Sequence, residues 1–183
     1  MVLLESISLK HGMTMPDFSL LDPYNESHNS NTLMGSKGLA IFFTCNHCPY
    51  AIAIWERSIC FAKKSKKLGI NCVAINPNIN PLYPDDSPEN MKQKIENDTI
   101  PFPYLIDIDQ NTARGYHAQC TPDIYLLDNK MQLFYHGRLD DNWQNPNLVK
   151  TEDLLHACQA LINNEPIPIK QYPSMGCSIK WVN

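Results

Sequence analysis

The chain has 183 residues, of which 43% are apolar and 19% charged, with a formal net charge of −4. That is enough apolar material to bury a core and too little charge bias for a disordered chain. The acidic balance excludes nucleic acid as a main partner, because phosphate binding wants a basic face. The one dense basic run, Lys63, Lys64, Lys66 and Lys67, falls at the end of a predicted helix, where cations complement the carbonyl end of the dipole.

Leu39 to Phe43 is the longest apolar run. It has a strand's length and is far short of a membrane span. The N-terminus lacks a basic n-region, and Glu5 interrupts its apolar start, so no secretory signal is read and a cytoplasmic location is expected. Seven cysteines are present. An odd number without a signal argues against a structural disulfide framework, and in a reducing compartment a disulfide is transient and functional. Cys60, Cys72 and Cys158 fall within helix or strand patterns and are expected to be buried thiols.

Strands and helices alternate along the chain, which predicts an α/β architecture with a central mixed sheet flanked by helices. Residues 1–183 are expected to form one domain. Residues 1–37, with Pro16, Pro23 and several Asn and Ser, read as an N-terminal strand extension. Gly38–Thr44 is a buried central strand. A helix follows from about Cys48 to Leu68, with Ile52, Trp55, Ile59 and Ala62 as its apolar stripe and Gly69 as its C′ residue. Ile70–Ile75 closes a right-handed parallel βαβ unit.

After a loop over 77–86, Ser87 caps a helix with Pro88 at its first position. Ile100–Asp107 reads as a short strand, and Asp109 as the cap of a brief helix ending at Tyr116. Asp123–Leu127 and Met131–Leu139 form an antiparallel hairpin. Thr151 caps a last helix whose buried face is Leu154, Leu155, Cys158, Leu161 and Ile162. A Pro-rich tail, 164–183, ends the chain.

Cys45-Asn46-His47-Cys48 stands where the buried strand turns into the helix. Free N–H groups and the positive end of the dipole stabilise a thiolate there. Its pKa can fall from about 8.5 to between roughly 3.5 and 7.5. Cys45 is expected to be the more exposed, attacking thiolate, and Cys48, one turn on, the resolving one. His47 either favours the Cys45 thiolate or is a solvent-exposed bystander. A CxxC in a βαβ context points to redox work over zinc. The zinc alternative would take Cys45 and Cys48 together with His117-x-x-Cys120 as a Cys3His set. No metal or other cofactor is expected.

Three segments, FFTCNHCPY, CTPDIYLLD and YHGRLDDN, together with the tail PSMGCSIKW, resemble the thioredoxin superfamily. Within it they resemble the redoxin branch of alkyl hydroperoxide reductases and thiol-specific antioxidants. The resemblance implies a thioredoxin-like fold in which Thr121-Pro122 is the cis-proline pair facing the CxxC, with the Thr121 backbone available to an extended thiol substrate. It brings Cys120 near the pair and makes Cys120 and Cys177 candidate additional thiols; Cys177 could alternatively anchor the tail with Trp181.

The chain departs from strict peroxiredoxins. Their PxxxTxxC order would need proline at 38 or 41, where Gly38 and Ile41 stand. Arg138, which a peroxidase could recruit, reads as a strand-end surface charge. Asn46-His47 also replaces the Gly-Pro of thioredoxin and is nearer the Pro-His of strong disulfide oxidases. Three functions follow: a thiol–disulfide oxidoreductase using Cys45 and Cys48, a thiol peroxidase, or a non-enzymatic metal- or partner-binding module. The partners implied are a protein or small molecule carrying a thiol or disulfide, and a thioredoxin- or glutathione-type reductant.

Overall fold

A computed structural model describes residues 2–182. Strands β1 (Leu3–Glu5), β2 (Ser19–Leu21) and β3 (Ser27–Asn29) and a one-turn helix α1 (Ser30–Leu33) precede the central strand β4 (Gly38–Phe43). Helix α2 (Pro49–Lys66) and strand β5 (Ile70–Asn76) follow, then helix α3 (Pro88–Asp98), strand β6 (Tyr104–Ile106) and helix α4 (Asn111–Gly115). Next come β7 (Cys120–Thr121), the hairpin strands β8 (Asp123–Asp128) and β9 (Leu133–Gly137), helix α5 (Asp153–Ile162) and β10 (Met175–Ser178).

Seven strands form one mixed sheet in the order β3-β2-β6-β5-β4-β8-β9. β4 runs parallel to β5, β5 runs parallel to β6, and β8 runs antiparallel to β4. Alternation along β4 fills both faces, because successive side chains in a strand point to opposite sides. Ala40 and Phe42 pack with Trp55, Ile59 and Phe61 of α2 and with Leu154 and Cys158 of α5. Leu39, Ile41 and Phe43 pack with Met15 and Phe18 of the N-terminal segment and with Ala113 and Tyr116 around α4. None of the described helices is long and apolar enough to cross a membrane.

The expected βαβ unit, the hairpin and the Ser87 cap are all present, the last with Ser87 Oγ accepting from Asn90 N at 3.3 Å. Several local expectations change. Ile52 is 51% exposed, and the buried stripe of α2 runs through Ile54, Trp55, Ser58, Ile59, Phe61 and Ala62. Cys60 is likewise exposed, while Cys72 and Cys158 are buried. Helix α2 ends at Lys66 with Lys67 as its C-cap, so Gly69, at φ +79°, stands two residues beyond the cap.

At α4 the cap is the Asp107 carboxylate, which accepts from Thr112 N (3.2 Å) and Ala113 N (2.8 Å); Asp109 reaches only Asn111. α5 begins after Glu152 without a side-chain cap, and the Thr151 carbonyl is used by Asp141 N instead.

β1 and β10, from the two ends of the described chain, join β7 in a second, three-stranded sheet of order β1-β10-β7. β10 is held on both flanks. Ser174 Oγ donates to Gly137 O (2.6 Å), and Lys180 N donates to Asn78 Oδ1 (2.8 Å).

Phe43 is fully buried, with ring centroids 5.5 Å from Tyr116 and 5.6 Å from Tyr125. Replacing it with Ala should cost about 3–5 kcal/mol of stability, read by urea denaturation, because the cavity lies in the middle of the sheet.

Candidate functional site

The buried strand β4 delivers the chain to the thiols. Thr44 N still bonds to Ile75 O (2.9 Å), and the chain then leaves the sheet through Cys45-Asn46-His47. Cys48 is the N-cap of α2, in extended conformation, with Pro49 at the first helical position. Proline fits there because that N–H has no intrahelical partner.

Opposite the helix end lies the Thr121–Pro122 bond, which is cis. Thr121 meets both sulfurs: its Oγ1 is 3.2 Å from Cys45 Sγ, and its carbonyl oxygen lies 2.9 Å from Cys48 Sγ, which donates to it. The structure therefore brings Cys45, Cys48, Thr121 and Pro122 together.

Neither thiol reaches solvent. Cys45 and Cys48 are both fully buried and pack with Ala51, Tyr50 and Cys177. The expectation that Cys45 is the more exposed is not met. The cover is β10, whose Cys177 pairs across from Thr121. Tyr50 extends the cover through its ring, 4.2 Å from that of Trp143. Beside Pro122, a cleft of about 310 Å³ opens between Trp143, Leu139 and Met175.

The surroundings of the two sulfurs differ in charge. Hydrogen bonding from Cys45 pulls the Cys48 thiol down to about 5, against the opposing effect of burial, with further help from the Cys177 thiol and the Ala51 N–H of the helix end. The Thr121 carbonyl favours the protonated form of Cys48, but several donors around the sulfur outweigh one acceptor. Cys45 is pushed well up, first by burial, then by its bond to Cys48 and by the Asp86 carboxylate. The negative charge of the pair thus rests on Cys48, the reverse of the sequence expectation. Burial pushes Cys177 up to about 12.

His47 is not a solvent-exposed bystander. Its Nδ1 hydrogen-bonds the buried Asp86 carboxylate, its ring stacks on Tyr83 at 4.6 Å, and its side chain is 9% exposed. Asp86 also accepts from Asn46 N (2.6 Å) and Asn76 Nδ2 (2.9 Å), so one carboxylate braces the loop between the cysteines. Asn46 Oδ1 accepts in turn from the Tyr104 hydroxyl (3.1 Å). Sequence reasoning missed Asp86. It ends a single 3₁₀ turn, Pro84–Asp86, and only its place just before the N-capped helix α3 distinguishes it.

Cys120 is buried behind the proline loop, 3.4 Å from Pro122 O, and its thiol is raised by burial and by Asp123. Asp123 is itself buried and paired with His136 Nε2 (2.8 Å). The Cys3His zinc set does not assemble, because His117 is exposed and belongs to neither group of described residues with metal-binding geometry. Those groups are Cys45, His47 and Asp86, and Asp22, Glu26 and His28.

Two outcomes follow. Thiolate absorbance in the reduced protein should rise with a midpoint near pH 5, since a lowered pKa leaves the anion dominant above that pH and the thiol below it; Cys48→Ser should remove the transition. A first deprotonation near the ordinary value of about 8.5 would contradict this electrostatic picture. Asp86→Asn, which replaces one buried acceptor oxygen with a donor, should destabilise the protein by about 1–3 kcal/mol in denaturant titration and bring the Cys45 thiol down.

Comparison with known proteins supports the architecture. The alkyl hydroperoxide reductase and thiol-specific antioxidant (AhpC/TSA) family model matches residues 11–136. An uncharacterized conserved protein from Geobacillus kaustophilus is 37% identical, with TM-score 0.93, covering 100% of this chain and 97% of the other. A peroxidoxin from Mycobacterium tuberculosis is 14% identical (TM-score 0.66; 86% and 98% of the two chains). The thioredoxin domain of a thiol-disulfide oxidoreductase from Bacteroides vulgatus is 18% identical (TM-score 0.56; 69% and 86%). These last two are likenesses of fold. No protein of curated function matches the chain. The matched segment runs from the N-terminal strands through the CxxC and the cis-proline into the hairpin; the chain belongs to the AhpC/TSA family and has the thioredoxin-like redoxin fold.

Proposed function

We propose that the protein is a thiol–disulfide oxidoreductase whose working couple is Cys45 and Cys48. The observation that supports it most is the placing of both sulfurs on Thr121, at the amino end of α2, with a charge imbalance that favours one anion. A thiolate is the nucleophile in disulfide exchange, and a neighbouring thiol is what completes it. The ionised sulfur attacks a substrate disulfide, forming a mixed disulfide and releasing one substrate thiolate. The second cysteine then attacks the protein-side sulfur, leaving a Cys45–Cys48 disulfide and the second substrate thiol. A thiol reductant of the thioredoxin or glutathione type restores the pair, and the same steps run backwards oxidise a dithiol.

His47, Asp86, Thr121 and Pro122 are positioning residues in this reading. Since both sulfurs are covered, a substrate gains access by displacing β10 from β7 or by entering along the cleft beside Pro122. The edge of β7 would then accept an extended chain, as its pairing with β10 illustrates.

A peroxidase reading draws on the family, and the cation it would recruit, Arg138, is held elsewhere. Arg138 is engaged by Asp153 (2.7 Å) and lies over the Tyr172 ring (4.2 Å). Insulin reduction coupled to dithiothreitol tests the proposal. Cys48→Ser should abolish turnover, while substitution of the exposed Cys60 by Ser should leave it unchanged. Activity surviving Cys48→Ser would overturn the reading, as would rapid peroxide consumption with an accumulating sulfenate in the absence of disulfide exchange.

A further inference from the structure

β10 pairs antiparallel with β7 in the register Cys177 opposite Thr121 and Ser178 opposite Cys120. Cys177 therefore enters the shell of the CxxC from β10. It hydrogen-bonds the Cys48 thiol, so Cys48 is flanked by two sulfurs. Cys45, Cys48, Ala51 and Cys177 form one buried cluster.

The residue before it makes the approach possible. A Cβ on Gly176 would stand 2.1 Å from Thr121 O and 2.9 Å from Pro122 N, which are backbone atoms that cannot yield as a flexible side chain would. Only glycine brings the strand this close to the cis-proline. On the far side, Ile179 N bonds Gln119 O (3.1 Å), and Gln110 binds both Lys180 O (2.9 Å) and Val182 N (2.9 Å). The tail is thus fixed before and after Cys177, with a cysteine at the position where it faces the redox pair.

We propose that Cys177 is a third redox-active thiol that competes with Cys45 for Cys48. This rests on the Cys45–Cys48 couple proposed above. Once a substrate disulfide has oxidised that couple, Cys177 attacks Cys48 Sγ as it gives up its proton. The Cys48–Cys177 bond forms, the Cys45–Cys48 bond breaks, and Cys45 leaves as a thiolate that takes up the proton given up by Cys177. No electrons are gained or lost, because one disulfide replaces another. The product ties the tail covalently over the site and returns Cys45 to the reduced form. In chemical terms β10 is a built-in substrate, an extended strand carrying a cysteine.

Disulfide mapping by mass spectrometry tests this. Cys45→Ser, oxidised with one equivalent of diamide, should lose the alkylatable thiols at Cys48 and Cys177 together and yield a linked Cys48–Cys177 peptide. Wild-type protein in a glutathione redox series should give both Cys45–Cys48 and Cys48–Cys177 peptides. That second measurement stands even if the variant folds poorly.

The proposal is overturned if Cys177 stays alkylatable in both experiments while Cys48 pairs with Cys45 or glutathione. Cys177→Ser separates the two readings. If it forms no Cys45–Cys48 disulfide although Cys45→Ser forms Cys48–Cys177, the proposed couple falls and the exchange falls with it, with Cys48–Cys177 left as the redox pair. The converse pattern removes the third thiol alone.

Discussion

Thr121 is the residue on which the arrangement depends. Its hydroxyl meets Cys45, its carbonyl meets Cys48, and its backbone pairs with Cys177. Two sulfurs of one CxxC and a third from the far end of the chain are gathered around one residue that adjoins the cis bond to Pro122 and strand β8. Just beyond it, Asp123 is buried and bound by His136 Nε2, Gln119 N and the Tyr125 hydroxyl. A buried carboxylate with several donors is costly to move, so the proline loop is a rigid platform. The helix end supplies the other half, since the start of α2 must lie where the unpaired N–H groups meet the sulfur held by that platform.

Burial gives these contacts their strength. In a dry site a sulfur anion is penalised unless donors surround it, and each donor counts for more than it would in water. Cys48 has such a surrounding and Cys45, beside the Asp86 carboxylate, does not. The same cover keeps solvent and adventitious oxidants from an ionised thiol. β10 then serves as the barrier, and exchange through the tail strand requires its hydrogen bonds to Ser6, Gly137 and Asn78 to be weaker than the sheet beneath.

Much of this was legible in the sequence because the relevant signals are local. A run of apolar residues, GLAIFFT, followed by CxxC and a helical stripe places the thiols, and Thr-Pro before an alternating hairpin places the loop that faces them. What escaped depends on the far return of the chain. Ile52 satisfies a helical period yet faces outward, because α2 meets the sheet one position round, through Ile54 and Phe61. Asp107 displaces Asp109 as a cap because Gln110 turns through a left-handed conformation and brings the earlier carboxylate over the helix end. Asp86 and Asp85 look alike in sequence; only the fold buries the former beneath His47. Gly176 before Cys177 was the one visible sign of a close approach, and its meaning requires knowing that β7 lies beneath.

The central claim is that Cys45 and Cys48 act as one dithiol–disulfide couple. Its most direct test is the reduction potential of the purified protein, read by alkylation shift across a series of dithiothreitol and glutathione buffers. The account predicts a single two-electron transition involving Cys48, between about −270 mV and −120 mV, the span from a reducing to a strongly oxidising CxxC protein. Thiols that remain alkylatable throughout that series, or a transition confined to the exposed Cys60, would contradict it.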